Sequence, residues 1–87
     1  MTITRHRNFK KNYKKRILPY KNLDKKFEEK LKLFLVDPQN PELKDHKLTG
    51  TLSGLRSFSI TGDIRVVYSK NGEEIELYDI GSHNQVY

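Results

Sequence analysis

Apolar residues recur every three or four positions through the first third of the chain, with lysine and arginine between them. In the stretch RNFKKNYKKRI, Phe9, Tyr13 and Ile17 are spaced four apart, so they share one face of a predicted helix. Pro19 ends this helix, because proline cannot donate the backbone hydrogen bond that a helix interior needs.

A second helix is predicted from another apolar repeat. Asn22 or Asp24 is expected to cap its start, and the Asp37-Pro38 pair ends it, because the residue before a proline is pushed out of the helical region. The residues that carry the repeat are Leu23, Phe27, Leu31, Phe34 and Leu35.

Alternation of apolar and polar residues predicts strands near both ends of the chain. Residues 2–5 form a short β-branched strand, and Asn71-Gly72 is typical of a tight type I′ hairpin turn. Three antiparallel strands are expected in LRSFSI, IRVVYS and EEIELYDI, at residues 55–60, 64–69 and 73–80, with TGD as the first turn.

This order of elements predicts an α+β fold. Residues 37–54 are rich in Pro, Gly, Asn and Asp and are expected to form a long surface loop. The chain then reads as one domain over residues 1–87: an N-terminal strand, two helices packed on one sheet face, and a three-stranded antiparallel meander. The other sheet face must meet solvent, a partner or a substrate.

The net charge of +6 is unevenly distributed along the chain. Residues 1–36 hold twelve Lys and Arg against three acids, giving +9, whereas residues 37–87 hold five against eight, giving −3. The basic half would attract a polyanion, which RNA, DNA or an acidic protein would each satisfy. The chain has no cysteine, no run of 18 apolar residues and no apolar segment typical of a signal peptide, so a cytoplasmic protein without membrane association is expected.

The familiar catalytic motifs for phosphates and metals are missing. The histidines, His6, His46 and His83, lack the spacing of metal ligands, so neither a metal nor another cofactor is expected. The polar residues at the ends of the meander strands are instead His46, Arg56, Asp63, Arg65 and His83. Asp63 and Arg65 are two positions apart, so their side chains are expected on the same face of the sheet. The alternation of side chains along the neighbouring strand leaves open which face Arg56 belongs to.

These residue types match what RNA cleavage without a metal requires. The reaction needs a base for the ribose 2′-hydroxyl, cations for the phosphate and an acid for the departing 5′-oxygen. Histidine suits either proton role, arginine matches two phosphate oxygens, and Asp63 would serve as a base or orient a histidine. The terminal Tyr87 would stack on a base, unless it only caps the core and leaves His83 as a surface residue.

Two stretches, DHKLTGTLSGLRSFSITGDIRVVY and LYDIGSHNQVY, resemble the RelE/ParE superfamily of toxin–antitoxin toxins, and most closely its YafQ-like branch. The resemblance covers essentially the whole chain and implies the RelE-like fold. It also implies an mRNA interferase: a ribosome-dependent endonuclease that cleaves mRNA in the ribosomal A site, leaves a 2′,3′-cyclic phosphate and is neutralised by an antitoxin. The free toxin would be monomeric and would form a higher-order complex with its cognate antitoxin.

The resemblance also assigns roles to residues. It implies that His46, Asp63 and His83 are catalytic, without deciding which is the base and which the acid. It implies substrate or phosphate contacts at Arg56, Arg65 and Tyr87, and Lys47 is a further candidate cation. The chain departs from the YafQ-like pattern at Ser59, Ile64 and Asp79, where that branch has histidine, tryptophan and arginine.

Two other functions remain open at this point. A ParE-like poison would bind DNA gyrase and break no RNA bond, and such a toxin does not need the three catalytic-type residues. An inactive module that binds nucleic acid or antitoxin is the third interpretation, and the acidic Asp79 favours it because a carboxylate would repel phosphate.

Overall fold

Five strands form one mixed sheet in a computed structural model that describes residues 1–87. The strand order is β1-β5-β4-β3-β2; β1 runs parallel to β5, and the other neighbours are antiparallel. The α+β class is confirmed. The elements are β1 (Thr2–Arg5), α1 (Arg7–Arg16), α2 (Lys21–Val36), β2 (His46–Lys47), β3 (Arg56–Ser59), β4 (Ile64–Asn71), β5 (Glu74–Ser82) and α3 (His83–Val86).

The two long helices form where the apolar spacing predicts them, but the start of α2 differs. Its N-cap is Tyr20, so the capping role predicted for Asn22 or Asp24 is wrong. Both residues lie inside the first turn instead. The carboxylate of Asp24 instead accepts a hydrogen bond from the hydroxyl of Tyr13, which joins α2 to α1.

The core lies between these helices and one face of the sheet. Burying each such side chain contributes about 1.5–3 kcal/mol, which makes the sheet a firm support for the residues on its other face. The cluster consists of Phe9, Tyr13, Ile17, Phe27, Phe34, Leu43, Phe58, Ile60, Val66, Tyr68, Ile75, Leu77 and Ile80.

The segment 37–54 is more ordered than the predicted surface loop. It contains two 3-10 turns, Pro41–Leu43 and Gly50–Leu52, with strand β2 between them. Asn40 caps the first turn by accepting a hydrogen bond from the Glu42 amide at 2.9 Å, and Leu43 is fully buried. Burial of Leu43 therefore anchors the segment, and β2 extends the predicted meander by a strand.

The β4–β5 hairpin turns one residue later than predicted. Asn71 pairs with Glu74 as the last strand position, so Gly72 and Glu73 form the turn. Of the two turn residues, only Gly72 has a positive φ, +63°. A type I′ turn needs positive φ at both central residues, whereas a type II′ turn needs it only at the first, as here.

The second sheet face is partly covered by the C-terminal helix. Val67 and Val86 are both buried, yet they lie outside the main core cluster. The C-terminal residues are thus docked against the sheet. None of the helices combines the length and the apolar character that a membrane crossing requires.

Candidate active site

A cleft of about 460 Å³ opens between the edge strand β2, the second 3-10 turn and helix α3. It brings together two histidines and an aromatic residue from distant parts of the sequence: His46, His83 and Tyr87. Lys47 and residues 48–52 form the rest of its wall. Four of the seven candidate site residues predicted from the sequence therefore line this cleft: His46, Lys47, His83 and Tyr87.

His46 enters the cleft from β2, opposite Ser57 of β3. Its Nδ1 lies 2.9 Å from the backbone carbonyl of Lys44. Because a carbonyl oxygen can only accept, Nδ1 must carry the proton of this hydrogen bond. In the neutral ring, Nε2 is therefore the nitrogen with a free lone pair, as a proton acceptor requires.

A buried carboxylate directly before His46 ties the edge strand to the sheet. The side chain of Asp45 is only 9% exposed, and its Oδ1 accepts a hydrogen bond from Nε of Arg56 at 2.8 Å and forms an ion pair with Nη2 at 2.7 Å. Its Oδ2 accepts a hydrogen bond from the hydroxyl of Tyr68. Since Asp45 adjoins His46, these bonds fix the backbone from which the imidazole projects.

The same cluster explains the position of Arg56. Arg56 shares parity with the core residue Phe58, so it points to the helix-side face and does not line the histidine cleft. The hydrogen bond to Asp45 raises the pKa of the guanidinium. Burial, followed by the hydrogen bond to Asp45, raises the pKa of the Tyr68 hydroxyl, so this network keeps its protons.

His83 is the first residue of α3 and is exposed. Its backbone N–H donates to Oδ1 of Asp63 at 3.4 Å. The Ser82 amide donates to Oε1 of Gln85 at 2.7 Å, which closes the turn that carries His83. Asp63 therefore touches His83 through the main chain, and it lies beside the cleft and not in its wall.

Tyr87 is held at both ends of its side chain. Its ring meets the ring of His83 edge to face, with centroids 4.6 Å apart. Its hydroxyl donates to Oγ of Ser57 at 2.5 Å, and Ser57 is fully buried. Tyr87 is 40% exposed, and it lines the cleft together with His83.

Arg65 projects from β4 on the same face as Ser59, its partner in the strand register. Its Nη1 donates to Oγ of Ser59 at 2.6 Å and to the carbonyl of Thr61 at 3.4 Å. No carboxylate pairs with Arg65. Its positive charge is therefore not neutralised by an acid.

Asp79 is turned towards helix α1. Its Oδ1 accepts hydrogen bonds from Asn12 at 2.7 Å and from its own neighbour's amide, Ile80 N–H, at 2.8 Å. Arg16 lies 3.5 Å away and also donates to the Ile80 carbonyl at 3.0 Å. The negative charge of Asp79 is thus balanced by the guanidinium of Arg16.

Sequence reasoning missed Asp45, Ser57 and Arg16 as supports of this site. Asp45 directly precedes a candidate histidine, which is the only local signal. Its partners lie in β3 and β4, so only the strand register reveals them. No three His, Asp or Glu side chains are grouped so as to hold a metal ion.

Comparisons with known proteins agree with this architecture. The family model described as "Bacterial toxin of type II toxin-antitoxin system, YafQ" matches residues 1–87. The crystal structure of YafQ from Escherichia coli strain BL21(DE3) is 20% identical with a TM-score of 0.80, over 98% of this chain and 96% of that one. The E. coli DinJ–YafQ complex gives the same identity, TM-score and coverage.

A copper-bound mutant toxin from Helicobacter pylori is 26% identical, also with a TM-score of 0.80, over 100% of this chain and 99% of that one. These likenesses support the fold across the whole chain. No curated protein matches the sequence.

Proposed function

The chain belongs to the YafQ family of bacterial toxins of type II toxin–antitoxin systems, and from that premise we propose that it is an endoribonuclease that cleaves mRNA on the ribosome. The observation that carries the proposal is the convergence of His46 and His83 on one cleft. Two histidines can supply both proton transfers of RNA cleavage, so the reaction needs no metal ion.

The first step is attack by the ribose 2′-hydroxyl on the adjacent phosphorus. Nε2 of His46 removes the hydroxyl proton, and the 2′-oxygen forms a new bond to phosphorus. The hydrogen bond from Nδ1 to the Lys44 carbonyl supports this assignment, because it leaves Nε2 as the basic nitrogen. The same bond also stabilises the imidazolium that forms.

The second step is departure of the 5′-oxygen. The bond between phosphorus and this oxygen breaks as protonated His83 gives it a proton. The products are a 2′,3′-cyclic phosphate and a free 5′-hydroxyl. Asp63 acts as a positioning residue in this step, because its carboxylate holds the backbone amide of His83.

Lys47 and Arg65 supply positive charge for the phosphate. Lys47 lines the cleft itself, and Arg65 stands without an acidic partner on the sheet face that carries His46. Preorganised cations stabilise the charge that develops on the phosphate oxygens. Arg56 has a positioning role instead, because its guanidinium is bonded to Asp45.

Tyr87 provides a stacking surface for a base next to the cleaved bond. Stacking of a base on an aromatic side chain contributes about 1–3 kcal/mol. The hydroxyl bond to Ser57 fixes the ring before RNA arrives, so little conformational freedom is lost on binding.

Asp79 does not oppose this function. Its carboxylate is bonded to Asn12 and neutralised by Arg16, so its charge is held against α1. A phosphate in the cleft would meet less repulsion than the sequence alone suggests.

The basic N-terminal half is proposed to contact ribosomal RNA, and a cognate antitoxin is proposed to neutralise the toxin. The E. coli relative has been solved as a DinJ–YafQ complex. Residues 1–36 carry a net charge of +9, which favours an acidic antitoxin segment that folds on binding. The affinity for such a partner should fall as salt rises, and an affinity independent of salt would contradict this account.

Mapping of mRNA ends tests the proposed activity. The wild type, His83→Ala and the matched control His6→Asn are expressed in cells, and mRNA 5′ ends are located by primer extension. His6 lies outside the cleft and caps α1 by accepting a hydrogen bond from the Asn8 amide at Nδ1, and the side-chain oxygen of asparagine can accept that bond instead. Wild type and control should cut within codons, and His83→Ala should cut at least about 10²-fold less.

The other functions give different outcomes. Growth arrest with intact mRNA and damaged DNA would indicate a gyrase poison. Absence of arrest from wild type would indicate an inactive binding module. Cleavage by His83→Ala within a few-fold of wild type would remove His83 from the mechanism.

A further inference from the structure

A second cleft, of about 590 Å³, borders the histidine cleft, and among its lining residues only Lys47 and Arg56 have a role in the proposed reaction. Its lining contains three cations, Lys47, Arg56 and Lys70, and no acid. The remaining lining residues are Leu48, Ser53, Gly54, Leu55 and Gly72. This composition favours an anion over an apolar ligand.

The strand register places the three cations side by side. Lys47 pairs with Arg56 across β2 and β3, and Arg56 pairs with Tyr68 across β3 and β4. Lys70 follows Tyr68 by two positions and so shares its face. Paired side chains on neighbouring strands are about 5 Å apart and diagonal ones about 7–8 Å, so Lys47 lies next to Arg56 and Lys70 lies diagonally beyond Arg56.

Two of these cations have no acidic partner. Neither Lys47 nor Lys70 forms an ion pair, whereas Arg56 is bonded to Asp45. Gly54, with a φ of +96°, adds a backbone amide that donates to no acceptor within the protein. Unpaired ammonium groups beside a free amide suit phosphate oxygens.

The two clefts adjoin at Lys47 and Leu48, which belong to both walls, and the loop formed by residues 48–55 separates them elsewhere. A polyanion seated between His46 and His83 would therefore reach the second cleft by passing Lys47 at the sheet edge.

We propose that the second cleft is a binding subsite for a backbone phosphate of the RNA chain next to the cleaved nucleotide, with Lys70 as its distal cation. This inference rests on the proposed function, because the histidine cleft must hold the RNA that continues into it. An acidic protein segment is less suited, because Leu48 and Leu55 are the only apolar anchors in the cleft.

Binding of RNAs of two lengths tests the subsite. Non-cleavable 2′-O-methyl oligonucleotides of about three and about eight nucleotides span, respectively, the histidine cleft alone and both clefts. Their affinities are measured by fluorescence anisotropy for wild type, Lys70→Ala and the charge-retaining control Lys70→Arg.

Lys70→Ala should weaken binding of the longer RNA several-fold and leave the shorter one unchanged. The slope of log affinity against log salt for the longer RNA should fall by about 0.7, the value for one lost phosphate contact on a single strand. Lys70→Arg should retain the wild-type affinity for both lengths, because it keeps the positive charge.

Three results would overturn the subsite: an equal effect of Lys70→Ala on both lengths, no effect on either, or no RNA binding by wild type. Weakened binding of an acidic antitoxin with unchanged RNA binding would assign the cleft to that protein instead. Failure of the proposed function is distinguishable, because wild type would then leave mRNA on programmed ribosomes intact while the length-dependent effect of Lys70→Ala on binding persisted.

Discussion

At the scale of single residues, Tyr87 connects the chemistry of the cleft to the sheet beneath it. Its ring packs against His83, and its hydroxyl reaches the buried Ser57. The terminal residue thus contacts a candidate catalytic histidine and stays partly exposed. The sequence left open whether this tyrosine stacks on a base or only caps the core, and stacking is the role proposed here.

Two substitutions separate these contributions. Tyr87→Phe keeps the ring but loses the bond to Ser57, whereas Tyr87→Ala loses both. Because stacking contributes about 1–3 kcal/mol, Tyr87→Ala should lower kcat/KM for ribosomal mRNA cleavage by about 10–100-fold. Tyr87→Phe should have a smaller effect in the same single-turnover assay. Wild-type rates for Tyr87→Ala would show that the ring does not contact substrate.

At the scale of elements, the two-residue strand β2 is too short to hold His46 in place by its own ladder. Asp45 holds it against the sheet, because its carboxylate accepts hydrogen bonds from Arg56 in β3 and Tyr68 in β4. The 3-10 turn before β2 is held separately by the buried side chain of Leu43. We infer that His46 owes its position to these two anchors.

Asp45→Asn tests the first anchor. The amide keeps the size of the side chain but removes the charge that pairs with Arg56, so the free energy of unfolding should fall by about 1.5–3 kcal/mol. The cleavage rate kcat should fall with little change in KM, because His46 loses its orientation while the cations remain. Asp37→Asn, at an exposed carboxylate, is the control. An unchanged kcat in Asp45→Asn would contradict the positioning role.

The sequence predicts the helices and strands in which apolar residues recur at regular intervals, over several helical turns or several strand positions. Helices α1 and α2 and strands β3, β4 and β5 all carry such patterns, and each forms in the structure. Strand β2 and helix α3 have two and four residues, which is too few for a period to be recognised. Their formation depends on Asp45 and Val86 meeting residues far away in the sequence.

At the scale of the whole molecule, two buried tyrosines join its layers. Tyr13 links the helices through Asp24, and Tyr68 links the sheet to the segment before β2 through Asp45. Burial is the first cause that raises the pKa of each hydroxyl above the ordinary value of about 10, and the bond to a carboxylate is the second. Each group therefore stays protonated in the folded protein at a pH where the unfolded chain ionises.

This difference makes the stability of the fold sensitive to alkali. Because the folded pKa is raised, each stabilising contribution is complete below about pH 10 and is lost as pH rises above it, by up to about 1.4 kcal/mol per pH unit. Tyr68→Phe should remove about half of this pH dependence in urea unfolding measured between pH 9 and about 11. An identical pH dependence in wild type and Tyr68→Phe would contradict the account.

The candidate site was predictable only where resemblance supplied long-range information. The resemblance nominated His46, His83 and Tyr87 together, and one cleft contains them. It also nominated Arg56 for phosphate binding, and this residue lines the adjoining cleft instead of the histidine cleft. Parity could not be assigned from the sequence, because a polar residue beside an apolar one is compatible with either face.

The most direct test of the two-histidine mechanism uses mRNA with a bridging sulfur in place of the 5′-oxygen at the cleaved bond. A thiolate departs without a proton, so this substrate does not need an acid. In single-turnover cleavage on programmed ribosomes, the sulfur substrate should restore His83→Ala to near the wild-type rate and leave His46→Ala inactive. Restoration of both variants, or of neither, would contradict the assignment of base and acid to the two sides of the cleft.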